Sequence, residues 1–118
     1  MAIRVKRAYE TSGPSDGTRY LVDRIWPRGV SKKAAAIDEW LKELGPSHEL
    51  RKWFGHDPNR WSEFKKRYFR ELDDQQTLWT RLVTESRTHT VTLVYSARDE
   101  DHNQAVALRE YLSSKTGK

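Results

Sequence analysis

Two short stretches carry the residue types that could do chemistry. "DRIWPRG", residues 23–29, sets Asp23, Arg24, Trp26, Arg28 and Gly29 directly after the apolar run Tyr20-Leu21-Val22. "YSARDEDHN", residues 95–103, follows a second apolar run with Ser96, Arg98, Asp99, His102 and Asn103. Paired guanidinium groups suit bidentate contact with phosphate or carboxylate oxygens. A neighbouring acid can orient one of them or take a proton, while a hydroxyl, an imidazole and an amide supply hydrogen bonds. Asp23, Ser96 and His102 are therefore the candidate catalytic groups. Arg24, Arg28 and Asn103 are candidates for binding, with Trp26 as a pocket wall. The chemistry they suggest is capture of a phosphorylated or otherwise anionic small molecule, a nucleotide among the candidates. Transfer or hydrolysis at phosphate is the reaction least strained by the set.

Each residue also has a plain structural reading. Asp23 and Arg24 can form an ion pair at a strand end, Trp26 can plug the core, and Ser96 lacks the G-x-S-x-G turn of a serine nucleophile. Asp99 or Asp101 can cap the last helix, and His102 can be an ordinary surface histidine. With no cysteine in 118 residues, thiolate nucleophiles, disulfides, iron–sulfur clusters and zinc–thiolate sites are excluded. His48, His56 and His89 show no ligand spacing, so no metal and no cofactor are expected.

The two stretches meet only if the strands before them lie parallel and close, since open α/β sheets bind ligands outside the carboxyl ends of their strands. The patterning supports such a sheet. Ile3, Val5 and Tyr9 alternate with charged residues in a first strand, and residues 19–26 read as a second, stopped by Pro27. Between them "TSGPSDG", residues 11–17, is rich in turn formers, and Asp16-Gly17 could make a hairpin turn or simply end a loop. "TVTLVYSA", residues 90–97, is apolar on both parities, as suits the middle of a sheet.

Helices fill the remainder. In residues 31–45, Ile37, Trp40, Leu41 and Leu44 have helical spacing between a Ser31 cap and Gly45; the alternative is a short helix through the alanines and then a strand near Trp40. Pro46-Ser47 opens a helix with Leu50, Trp53 and Phe54 on one face, closed by Gly55. Asp57-Pro58 starts another over 59–72, with Trp61, Phe64, Tyr68 and Leu72 on its apolar stripe. Residues 75–87, capped by Asp73 or Asp74, turn Leu78, Leu82 and Val83 inward. A last helix turns in Ala105, Leu108 and Leu112, and a frayed tail covers about 113–118. The whole reads as one α/β domain over residues 1–118, with a short, mostly parallel sheet flanked by helices.

Composition narrows the class. The chain is 36% hydrophobic and 33% charged with five tryptophans, enough apolar and aromatic area for a globular core. "MAIRVKRAYE" offers neither a signal peptide nor a membrane span, so a cytoplasmic, membrane-free protein is expected. The net charge of +5 is local: residues 51–70 hold seven Lys and Arg against Asp57 and Glu63. On the helix over 59–72, Arg60, Lys66, Arg67 and Arg70 stand opposite the apolar stripe. This basic face makes a nucleic-acid-binding accessory or regulatory protein the competing reading. Against it, the ring-bearing residues share the core stripe, and no glycine-rich phosphate loop, helix-turn-helix or RNA-binding sheet motif is present.

Taken together, "KRAY", "DGTRYLVDRIWPRG", "DEWLKELGPSHELRKWF", "FKKRYFREL" and "TLVYSARDEDHNQAVAL" resemble the YeaO-like proteins, small bacterial and archaeal α/β domains with no established activity. The resemblance runs from about Lys6 to Leu112. It implies a compact, Rossmann-like parallel sheet and favours a short helix followed by a strand near Trp40 to Leu44. Positions matching the family pattern include Arg7, Tyr9, Asp16, Gly17 and Arg19, the "DR-WPRG" residues, Tyr95 and Asn103. Ser47 and Arg51 match as well, and with Gly29 and Tyr95 they join the ligand-binding candidates. Longer relatives resemble one another in a Cys-His-Arg sequence near the last helix; here His102-Asn103-Gln104 has no thiol, so cysteine chemistry does not transfer.

Overall fold

The computed structural model describes residues 2–116. In chain order the elements are strand β1 (Ile3–Arg7), strand β2 (Thr18–Leu21), helix α1 (Lys32–Ala35), strand β3 (Glu39–Trp40) and helix α2 (His48–Phe54). Helices α3 (Trp61–Asp73) and α4 (Gln76–Ser86), strand β4 (Val91–Tyr95) and helix α5 (Gln104–Thr116) complete the chain. Single 3-10 turns occupy Pro14–Asp16, Lys42–Leu44 and Pro58–Arg60. The sheet is parallel throughout, in the order β1-β4-β2-β3. All five residues of β4 are buried, as its apolar character on both parities requires of a strand flanked by neighbours.

Both β1 and β2 pair with β4 and not with each other, so Asp16-Gly17 ends a loop rather than turning a hairpin. Gly17 adopts φ 64°, and a Cβ there would stand 2.1 Å from the Thr90 carbonyl oxygen. Only glycine lets the chain enter β2 so close to the start of β4. Asp16 is buried just before β2. Its carboxylate accepts from Lys6 Nζ at 3.2 Å, from Arg19 Nη1 at 2.7 Å and from the Gly13 N–H at 3.1 Å. The rest of the Arg19 fork donates to the Ala35 carbonyl. Burial alone would raise the Asp16 carboxyl, yet these donors hold it below its ordinary value.

The single helix allowed by periodicity over 31–45 does not form. Ser31 caps the four-residue α1 through the Ala34 N–H, left-handed Ala36 ends it, and β3 follows. Apolar residues with helical spacing divide between the two faces of the sheet. Leu41 and Leu44 join the larger core with the apolar residues of α2 to α5, whereas Ile37 and Trp40 join Ala8, Leu21, Val94 and Trp26 in a smaller cluster. Sheet pairing, with the Leu41 N–H donating to the Leu21 carbonyl at 2.9 Å, outweighs local spacing.

Smaller corrections concern ends and caps. The β2 ladder stops at Leu21, five residues short of the expected end, although the Val22 N–H still reaches the Val94 carbonyl. Gln75, without a side-chain bond, precedes α4, and Asp73 instead accepts from the Tyr111 hydroxyl at 2.6 Å. The cap of α5 is Asn103, whose Oδ1 accepts from the Val106 N–H at 3.0 Å, in place of Asp99 or Asp101. The α5 helix continues through 113–116; the remaining tail positions, 117–118, lie outside the described residues. Among the described residues no helix is long and apolar enough to cross a membrane.

Candidate functional site

β2 and β4 are adjacent and parallel, with Leu21 opposite Val94. The chain therefore leaves the sheet twice, side by side, and Asp23 and Ser96 each sit two residues past that pair. Ser96 donates both its N–H (3.0 Å) and its hydroxyl (2.5 Å) to Asp23 Oδ2, while the Gln104 side-chain amide donates to Oδ1. The Asp23 carbonyl accepts the Trp40 indole N–H at 2.7 Å. Asp23 is 7% exposed. Burial pushes its carboxyl above the ordinary range, against the pull of the Ser96 and Gln104 hydrogen bonds and the Arg51 charge.

A cavity of about 720 Å³ opens above this pair, lined by residues 23–28 and 96–99 together with Tyr9, Pro46, Arg51, His56 and Gln104. Four of the lining groups are guanidinium groups. Arg24 Nε donates to the Gly45 carbonyl at 3.0 Å. Gly45 permits that approach, because a Cβ there would stand 3.0 Å from the Val22 carbonyl oxygen and 3.1 Å from Arg24. Arg51 carries a buried Nε with no hydrogen-bond partner. Arg28 and Arg98 are exposed, and their guanidinium groups make no hydrogen bond or ion pair among the described residues. The "DRIWPRG" loop is pinned from behind. Trp26 Nε1 donates to the Val30 carbonyl at 2.6 Å, its ring packs edge-on against Trp40 at 5.6 Å, and the Tyr9 hydroxyl donates to the Arg28 carbonyl at 3.0 Å. Asp23 and Arg24 form no ion pair with each other.

The other residues singled out from sequence fall elsewhere. Gly29, exposed at φ 77°, is off the cavity wall, and Tyr95 is buried in β4, where burial raises its phenol. Ser47 accepts from the Leu50 N–H as the cap of α2 and gives its own N–H and hydroxyl to Glu71, at 2.8 and 2.6 Å. His102 Nδ1 lies 3.0 Å from Asp99 Oδ2, with the ring edge-on to Trp61 at 5.3 Å. His102 and Asn103 face a neighbouring cavity of about 350 Å³. Ser96, His102 and an acid thus do not form a relay, since the serine hydroxyl goes directly to Asp23. Among the described residues no group of three His, Asp or Glu could hold a metal ion.

Several lining residues escaped the sequence reading. Gln104 is the first residue of α5, and its place directly after the candidate Asn103 was the available signal. Tyr9 and Ile25 are large hydrophobic residues left 50% and 64% exposed, both on the cavity wall. His56 has a left-handed backbone at φ 57°, which no sequence pattern announces. The basic face expected over 59–72 falls on α3 and the 3-10 turn before it, where Arg60 and Arg67 lie over the Trp53 ring at 5.3 and 4.2 Å. Arg67 also pairs with Glu63 at 3.0 Å, while Lys66 and Arg70 project into solvent. Phe64 and Tyr68 are buried.

A family model described as the inactive DUF488-N3 subclade matches residues 2–118. The chain is 41% identical over 114 residues to the uncharacterized protein YeaO of Escherichia coli (strain K12), covering 97% of this chain and 99% of that one. Uncharacterized proteins of Mycobacterium tuberculosis (strain H37Rv) and Mycobacterium bovis are each 40% identical over 113 residues, covering 96% of this chain and 95% of theirs. No solved structure matches.

Proposed function

The chain belongs to the YeaO-like proteins of the inactive DUF488-N3 subclade, and from that premise we propose that its strand-end cavity binds a small phosphorylated or otherwise anionic molecule and holds it without turnover. The observation that carries this reading is Arg51, whose Nε is buried beside the cavity with no partner. An unmet buried donor costs about 1–3 kcal/mol, more when charged, and an anionic oxygen would satisfy it. Arg24, Arg28, Arg51 and Arg98 outnumber Asp23 and Asp99 on the wall, and Asp99 is already engaged with His102. The excess is positive. Tyr9 and Ile25 at the rim offer apolar cover that a bound molecule would shield from water.

Binding rather than chemistry is favoured by the hydrogen bonds of the polar groups. Ser96 directs its hydroxyl at a carboxylate and has no imidazole to activate it, and His102 faces the neighbouring cavity. The family description as inactive agrees. The basic face of α3 has less support as a working surface, because two of its four cations are engaged with Trp53 and Glu63.

The test is a calorimetric titration with inorganic pyrophosphate. Wild-type protein should bind saturably, Arg28→Ala and Arg51→Met should each lose at least about tenfold in affinity, and Lys66→Ala should bind normally, one lost charge-assisted contact being worth about 1.5–3 kcal/mol. Arg28→Ala should melt as wild type does. Absence of binding to the wild type, or normal binding by both arginine variants, sinks the proposal.

A further inference from the structure

We infer that the bound molecule carries a planar heterocycle and that this ring occupies the neighbouring cavity, making the ligand class a nucleoside phosphate. The inference rests on the anion-binding reading above and adds the identity of the uncharged end. The two cavities are lobes of one site. Pro46, Arg51, His56, Ala97 and Gln104 line both, and Arg51, with its partnerless Nε, stands where they join. A molecule anchored by the arginine cluster would therefore reach the second lobe by extending past Arg51.

The chemistry of that lobe differs from the first. Phe54 and Phe64, only 5% and 2% exposed and stacked at 4.4 Å, contribute to its wall together with the apolar Pro46 and Ala97. Polar groups share the wall with this apolar surface: the imidazoles of His48, His56 and His102, the Gln104 amide and the side chains of Arg51 and Lys52, whereas the Asn103 amide is spent on the Asp99 carbonyl and the Val106 N–H. Gln104 gives its amide N–H to Asp23, and its carbonyl oxygen accepts no hydrogen bond among the described residues, leaving an acceptor between the lobes. Aromatic and apolar walls with hydrogen-bonding groups at the margin suit a flat ring bearing heteroatoms at its edge. A purely aliphatic group would leave the polar margin unmet, and a second phosphate would meet Lys52 but leave the Phe54 and Phe64 wall without an apolar partner. A volume of about 350 Å³ admits a single base. The left-handed backbone of His56, at φ 57° in a non-glycine residue, falls in the wall shared by the lobes, where stored strain is more often found at ligand sites.

The experiment is an NMR titration of uniformly labelled wild-type protein against inorganic pyrophosphate and, separately, ADP, GDP, CDP and UDP. At least one nucleoside diphosphate should bind tenfold or more tighter than pyrophosphate and give NOEs from its base protons to the Phe54 or Phe64 ring. Pyrophosphate alone should shift residues 24–28 and 96–98 and leave those rings unmoved. If pyrophosphate binds and no nucleotide binds tighter, the ring inference is overturned while the anion site stands. NOEs from the base to Tyr9 or Ile25 instead put the ring at the rim, and the second lobe is not its seat. If neither pyrophosphate nor any nucleotide binds, both readings fall.

Discussion

Ser96 gives its backbone N–H and its hydroxyl to one oxygen of Asp23, at 3.0 and 2.5 Å, across the ends of two adjacent parallel strands. This contact ties the loop after β2 to the loop after β4 at the floor of the cavity, and it holds a carboxylate that burial makes costly to ionise. The other buried carboxylate, Asp16, precedes β2 and is met by the hydrogen-bonded Lys6 and Arg19, with Arg4 at 3.9 Å. The two acids respond to pH in opposite directions, which makes them separable by experiment.

Asp23→Asn is expected to leave the protein as stable or more stable at pH 7. Because the folded-state carboxyl is raised above its ordinary value, its contribution is fully favourable below about pH 4 and is lost as pH rises through the folded value. Removing the charge should raise the melting temperature by a few degrees at pH 7, equivalent to about 1 kcal/mol, and give no gain at pH 3.5. Thermal melts of both proteins at the two pH values decide it; a clear drop at pH 7 would make the Asp23 carboxylate a net stabiliser.

Asp16→Asn should do the reverse. It strands Lys6 and Arg19 around a neutral amide, and breaking a buried ion pair from one side costs about 3–5 kcal/mol. The folded carboxyl is depressed, so its contribution is present above the ordinary value and disappears as pH falls through the lowered one. Urea unfolding at neutral pH should show the full deficit, and the gap to wild type should shrink in acid. A variant within 1 kcal/mol of wild type at pH 7 would refute a structural role for this cluster.

Ser47→Ala separates a cap from a ligand contact. Ser47 caps α2 and bonds Glu71 through two groups, so its loss should cost about 1–2 kcal/mol in stability. Pyrophosphate affinity should stay within twofold of wild type. A tenfold loss of affinity in a protein of unchanged stability would return Ser47 to the binding site.

Much of the architecture was legible in the residues themselves. β4 announced itself by apolar residues on both parities, the caps at Ser31, Ser47 and Asp57 were in place, and the stripe of Phe64, Tyr68 and Leu72 is buried as its spacing implies. Such features are local: a period, a cap or a breaker acts within a turn or two of chain. The segment 31–45 shows where local rules stop. Its apolar residues fit a helix, but two layers of core on opposite faces of the sheet compete for them, and only the packed molecule records which side takes Trp40 and which takes Leu41.

The same division holds for the site. Residue types alone pointed to Asp23, Arg24, Arg28 and Ser96, and the family resemblance added Arg51. Their meeting depends on β4 lying between β1 and β2, a long-range pairing with no local signature. Gln104 on the Asp23 carboxylate, Asn103 as the α5 cap, the left-handed His56 and the apolar lobe behind Arg51 follow from that pairing and from helix packing. The sequence by itself determined the elements, the charge and the two loops that matter. Tertiary structure decided which polar groups face the cavity and which are consumed by caps and ion pairs, because a side chain's partner is chosen by neighbours in space, and Asp23 and Ser96 stand 73 residues apart in the chain.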